Sequence, residues 1–394
     1  MSEFKAAGFS DEFGSGGPDL VGITTMTSPY YFVPPSGSTA ERPQSAPPGM
    51  LRFNTDIGRL EVWRNDHWAT IVGESPNVGV STAAAGDSFG GTSVRGVFIG
   101  NRNTPTFPSS PKSEFISIST LGNSVDFGSL TQQVSLHGSF SSSTRGVFFG
   151  GYNHPVAGAR TNRIAGFTYS STGSHVDFSS TVSTACQSSI GVSNETRGLC
   201  FIGNPFPASG FLPTIEFVTI SSVGNAIDFG DLSGAIASGV AFSSSVRGVY
   251  AGGYLSPPNT NVIQYVTIST QGDAQEFGDL TETSFTGAGG GNVTRGMRMG
   301  GQIPARSGTI DFVTIASTGD AQDFGDLLEA ASSGFLGNMC SPTRAIYAGG
   351  FKDSGDENAI QFVTIPTTGN AIDFGNLTEN KFQFSGSSNG HGGL

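Results

Sequence analysis

Six arginines recur along the chain, at Arg95, Arg145, Arg197, Arg247, Arg295 and Arg344, with spacings of 50, 52, 50, 48 and 49 residues. Between 28 and 32 residues after each stands an acid followed by phenylalanine: Asp126, Asp177, Asp228, Glu276, Asp323 and Asp373. A guanidinium can hold a carboxylate through two parallel hydrogen bonds, so six arginines and six acids in register suggest a repeated ion pair. A ring of arginines could instead collect an anionic ligand. A repeated fold uses every copy of a motif while a ligand rarely needs all six, so the ion pair is the expectation.

Other residues that could do chemistry point away from an enzyme. D-F-G stands at 126–128, 228–230, 323–325 and 373–375. A kinase carries it once, beside a catalytic loop and a strand lysine, and neither is present. Four copies at one repeat position mark a structural turn. The glycine-rich GAGGGN at 287–292 is followed by no lysine or helix, as a phosphate loop requires. His67, His137, His154, His175 and His391 are scattered with no H-x-x-x-H spacing. KDSGDEN at 352–358 lacks the calcium-loop pattern and reads as a solvated loop. No G-x-S-x-G marks a nucleophile. The expectation is no catalytic residue, no metal and no cofactor.

Composition agrees with an all-β chain. Glycine makes up 58 of 394 residues and only 13% are charged, while 36% are hydrophobic. Glycine supplies the positive φ of tight turns, and the apolar share is too high for disorder. The net charge of −12 and the absence of a basic stripe exclude a nucleic-acid partner. Cys186, Cys200 and Cys340 read as free thiols. The N-terminus has no apolar core of a secretory signal, and no apolar run approaches membrane-spanning length.

The elements that position the arginines are short strands. After each arginine an apolar run ends in glycine: VFIGN, VFFGGY, LCFIGN, VYAGGY, MRMGGQ and IYAGGF. A second run follows a variable loop: EFISIST, GFTYSST, EFVTISS, QYVTIST, DFVTIAS and QFVTIPT. A short glycine turn then leads to the acid-phenylalanine strand. A small-residue stretch precedes each arginine. We name these strands a to d, with the arginine opening b. Strand c alternates: Phe217, Thr219 and Ser221 face one way, Val218 and Ile220 the other. Six repeats of this length with four strands each predict a six-bladed β-propeller over residues 77–394. After the sixth repeat, FSGSSNG at 384–390 resembles FSSSTRG at 140–146 and could supply a closing strand over Phe382 to Ser388. STAAAGDSFGG at 81–91 is the competing strand a for the first repeat.

The paired glycines ending strand b, the alternating strand c and the aromatic of strand d resemble the kelch repeat. They depart from it at Gly100-Asn101 and Gly203-Asn204, and in placing Phe127, Phe178, Phe229, Phe277, Phe324 and Phe374 where kelch has tryptophan.

Ahead of the repeats, residues 1–49 read as an extended, proline-rich strap and 50–76 as a small meander: LRFN, RLEVWR and WATIV joined by TDIG and NDH. The stretch PPGMLRFNTDIGRLEVWRNDHWATI resembles a segment of tailed-bacteriophage virion proteins, including tail-fibre-type proteins of cyanobacterial phages. The resemblance rests on Gly49, Arg52, Phe53, Asn54, Thr55, Asp56, Gly58, Leu60, Glu61, Trp63 and Trp68. It implies a virion structural protein, assembled in the host cytoplasm. Arg52, Phe53, Asn54, Asp56, Trp63 and Trp68 are then candidates for attachment to the particle, and the propeller is exposed for packing or host contact. Expected partners are other tail or capsid proteins and further copies of the chain, with a host-surface glycan as another candidate and no membrane insertion. A capsid decoration protein, or a lectin or depolymerase propeller, is the alternative. The lack of tryptophan in the repeats weighs against a lectin.

Overall fold

The computed structural model describes residues 34–64, 66–70, 94–102, 110–154, 159–207, 210–255, 259–303, 305–332 and 335–394. The chain divides into two units, Met1–Val78 and Gly79–Leu394. Among the described residues the regular structure is strand, with a 3-10 turn at Thr39–Glu41 and no α-helix.

In the larger unit the repeats fold alike. In the fourth, Val240–Ser243, Arg247–Tyr254, Asn259–Thr267 and Gln275–Asp279 pair antiparallel in that order. The second repeat pairs Gly138–Ser141, Arg145–Phe149, Thr161–Thr168 and Val176–Gln187. The third pairs Ile190–Ser193, Arg197–Pro205, Leu212–Thr219 and Ile227–Asp231, and the fifth Ala288–Gly291, Arg295–Ile303, Ala305–Thr314 and Gln322–Asp326. The sixth pairs Arg344–Ala348, Ala359–Thr364 and Ile372–Asn376. Its strand a, Phe335–Asn338, reaches strand b through a bridge between Cys340 and Ala345.

The first repeat takes its strand a from the other end of the chain. Phe384–Ser388 pairs with Arg95–Ile99, which pairs with Lys112–Ser117 and then Val125–Ser129. The competing segment 81–91 lies outside the described residues. The register corrects the sequence alignment. Ser387 stands opposite Val97 as Phe140 stands opposite Val147, so FSGSSNG slides three places along FSSSTRG. The a–b turn explains why. Three residues before each arginine, a Ser or Asn side chain accepts the arginine N–H, as Asn194 does from Arg197 at 2.8 Å and Ser244 from Arg247 at 3.1 Å. Asn389 fills this role for Arg95, at 2.7 Å.

D-F-G marks a β-bulge, which corrects the expected turn. Asp228 stands opposite Glu216 and Gly230 opposite Ile215, leaving Phe229 as the extra residue. The glycine has φ of 148° here and 147° to 154° in the equivalent copies. It must also be bare: a Cβ on Gly230 would lie 2.4 Å from the carbonyl oxygen of Gly272, in the next repeat's c–d turn. That turn donates back, Gly272 N–H to Phe229 O at 2.8 Å, and its Asp273 carboxylate accepts the Asp231 N–H at 3.0 Å. The same latch joins the first repeat to the sixth, through Gly122 N–H to Phe374 O and Asn123 Oδ1 to Asn376 N–H, each 2.9 Å.

The core lies between consecutive repeats. Phe242, Val249, Ile263 and Phe277 of the fourth pack with Val313 and Ile315 of the fifth. Phe98, Ile116 and Ile118 of the first share a core with Ile346, Val363 and Ile365 of the sixth. At that last junction Lys381 and Glu114 form a fully buried ion pair. Burial pushes the Glu114 carboxyl up. Lys381 and the hydrogen bonds from Ser124 and Thr378 outweigh this and hold it below the usual carboxylate range.

In the smaller unit, Leu51–Asn54, Arg59–Arg64 and His67–Thr70 form the expected meander. Part of the proline-rich lead joins it: Ser36–Gly37 pairs parallel to Leu51–Asn54 as a fourth strand.

Candidate functional site

The six arginines do not pair with the six acids. Five of those acids lie exposed, and Asp177, half-buried, is bound by Arg163. The bulge turns the carboxylates outward, while each guanidinium folds inward over an aromatic ring. Arg197 lies 4.4 Å from the centre of the Phe217 ring, and Arg247 4.4 Å from Tyr265. Each then donates to a main-chain carbonyl at the end of strand c in the following repeat. Arg95 reaches Tyr169 O at 2.6 Å, Arg145 Ile220 O at 2.9 Å, Arg197 Ile268 O at 2.9 Å and Arg247 Ile315 O at 2.8 Å. Arg295 reaches Ile365 O at 2.8 Å. Arg344 of the sixth repeat reaches Ile118 O of the first, at 2.9 Å. Only a delocalised cation on a long stem both stacks on a ring and spans to a neighbour's backbone.

No protein-family model matches this chain, and no curated protein is significantly similar to it.

Because the arginine serves the backbone and not a carboxylate, the two partners respond differently to substitution. Arg247→Leu is expected to lower stability by about 2 kcal/mol, the sum of a lost cation–π contact and a lost charge-assisted hydrogen bond. Asp228→Asn, at an exposed acid, is expected to change it by less than about 0.5 kcal/mol. Thermal unfolding of both variants checks this, and equal losses would restore the ion pair.

A second repeated position carries small residues joined by hydrogen bonds. Four places before the arginine stand Ser141, Ser193, Ser243, Gly291, Cys340 and, from the closing strand, Ser388. Ser243 donates to Ser193 O at 2.8 Å, Ser193 to Ser141 O at 2.6 Å and Ser141 to Ser388 O at 2.8 Å. Ser388 donates to Cys340 O at 2.6 Å, and the Cys340 thiol to Gly291 O at 2.8 Å. The constant offset from the arginine was the available signal. The C-terminal residues pack onto this series: Gly392 N–H donates to Gly291 O at 3.0 Å, and His391 Nε2 lies 3.2 Å from Ser141 O.

Two further histidines, His175 and His137, are buried among aromatic rings. His175 sits among Phe127, Phe148 and Phe167 with Nε2 2.6 Å from Ser113 Oγ. His137 packs edge-on against Phe148 with Nε2 2.5 Å from Ser385 Oγ. Among the described residues no group of three or more His, Cys, Asp or Glu side chains could hold a metal ion. No helix there is long and apolar enough to cross a membrane.

Most of the attachment candidates in the smaller unit are engaged internally. Glu61, fully buried, pairs with Arg42 and Arg52 and accepts from Asn54 Nδ2 at 3.1 Å. Arg52 Nη2 also donates to Ser38 O at 2.9 Å. Asp56 accepts the Thr39 N–H at 2.7 Å, Trp68 donates to Pro43 O at 2.9 Å, and Trp63 packs edge-on to Trp68. These residues hold the strap to the meander. Strand alternation puts Phe53 on the opposite face with Leu51, Leu60 and Val62, where Leu51 and Leu60 are 41% and 39% exposed. The alternation in LRFN and RLEVW was the signal for this face.

Proposed function

We propose that this chain is a non-enzymatic structural protein of a tailed-phage virion, a tail fibre or tail-associated appendage. In this reading the repeats close as a six-bladed, kelch-like propeller and the N-terminal unit attaches it to the particle. Closure is supported by contacts that run from each repeat to the next and return from the sixth to the first: the arginine bonds, the latch at Gly122 and the shared core. A strand contributed by the C-terminus to the first repeat is how a ring of blades avoids a free sheet edge.

The attachment half rests on one observation. The small sheet covers one face with its own strap and leaves Leu51, Phe53, Leu60 and Val62 on the other, with Met50 and Ile57 also exposed. An apolar face on so small a unit suits a partner subunit. The phage resemblance of the same stretch, which includes Phe53 and Leu60, names the kind of partner. A chain beginning at Gly79 is expected to fold, with cooperative unfolding, and to be missing from purified particles. Leu60→Asp in the full chain should also reduce incorporation. If the shortened chain still enters particles, the attachment surface lies on the repeats, and a capsid decoration role takes precedence.

A further inference from the structure

The second repeat departs from the others at two places that meet in space. On strand c, Gly166 stands opposite Val147 where other repeats set an aromatic ring, such as Phe217 opposite Leu199 or Tyr265 opposite Val249. On strand d, the bulge holds two extra residues, Phe178 and Ser179, between Asp177 opposite Ala165 and Ser180 opposite Ile164. Ser179 adopts φ of 53°, where other repeats have glycine. Phe178 lies so close over Gly166 that a Cβ there would approach its ring to 2.7 Å. It becomes the ring under Arg145, but at 5.5 Å, against 4.4 to 4.7 Å in the other five repeats.

Beside these residues opens a pocket of about 390 Å³. Phe127 and Phe178 provide aromatic wall, and Ser171, Thr172 and Ser174 of the c–d turn provide hydroxyls. Arg145 is the single charged side chain in the lining. Its Nη1 is engaged by Ile220 O and Ser221 O, while Nε and Nη2 of the guanidinium make no hydrogen bond among the described residues. The volume falls in the lower part of the range for small-ligand sites, enough for one or two sugar rings. A ring face for C–H groups, a hydroxyl rim and one uncommitted guanidinium edge suit a sugar bearing a carboxylate. The net charge of −12 does not oppose this at short range, because salt screens distant charges beyond ~8 Å.

We infer that the second repeat carries a binding site for a carboxylated saccharide, its ring against Phe178 and its carboxylate on Arg145. This stands apart from the virion reading, since it uses no residue of the N-terminal unit. The test is calorimetric titration of the full chain with glucuronic acid, glucose and propionate. Glucuronic acid should bind, and Phe178→Ala and Thr172→Trp should each weaken it by roughly tenfold or more. Thr172 is exposed on a turn, so that variant keeps the fold even if Phe178→Ala does not. No binding of glucuronic acid, or binding unchanged in folded variants, overturns the site. Glucose binding as tightly overturns the carboxylate assignment, and propionate binding as tightly overturns the saccharide.

Discussion

Removal of Phe384–Leu394 is expected to abolish cooperative folding of the larger unit. The deletion takes strand a from the first repeat, leaving the edge of Arg95–Ile99 unpaired. Phe384, fully buried, packs edge-on against Phe98, and its loss opens the core between the first and sixth repeats. Ser139 and Ser141 lose the carbonyls of Gly386 and Ser388, at 2.9 and 2.8 Å. A repeat array gains its stability from interfaces between neighbours, so an open junction is felt by both repeats beside it. Near-ultraviolet circular dichroism and denaturant titration check the outcome, with deletion of Asn389–Leu394 alone as a milder control that keeps the strand. A shortened chain lacking 384–394 that still unfolds cooperatively at the full-length midpoint would refute the closing role.

Mild acid is expected to destabilise the same unit more than any single surface substitution. Burial pushes His137 down to about 3, His175 to about 4 and His391 to about 4, with the second histidine adding to the shift of His137. Hydrogen bonding to Ser141 and the charge of Glu195 offset part of the shift at His391. In the unfolded chain these rings titrate near 6.5. Between these values the unfolded state binds more protons than the folded one. Stability is therefore fully present above pH ~6.5 and drains as pH falls toward 4, by about 3 kcal/mol per histidine. The melting temperature should drop by roughly 10 °C or more from pH 7 to pH 4.5. His391→Asn, which cannot titrate, should flatten part of this slope. A melting temperature unchanged across that range would show that the rings are reached by water.

Much of this was readable in one dimension because the repeat is written in small, constrained residues. The arginine spacing located every strand b, and the glycine turns located every c–d hairpin, since few other residues adopt those φ values. The N-terminal meander followed from its turns. Where structure and sequence pattern diverge, the cause is a local change in strand pairing. The arginine and the acid keep a fixed separation along the chain, which looks like a pair, yet a bulge at D-F-G points the acid to solvent. In the second repeat, GFTYSST lies one place out of register with EFISIST, because the aromatic expected on strand c stands instead on strand d: Thr168, not Tyr169, is opposite the arginine as Ser117 is.

Sequence by itself determined the all-β class, the period and the strand order within each repeat, because these depend on local turn chemistry and alternation. It placed glycine after the strand-d phenylalanine in every repeat but the second, but did not show that the reason lies in a neighbouring repeat's carbonyl. Only the tertiary structure decided which chain end completes the first repeat, that the arginines serve backbone oxygens of the next repeat, and which face of the N-terminal sheet is covered: Arg52, Asn54, Glu61 and Trp63 of the phage-like motif are buried, while Phe53 and Leu60 of the same motif lie on the other face with Leu51 and Val62. Each depends on groups far apart in the chain, brought together by packing and invisible to any pattern of spacing.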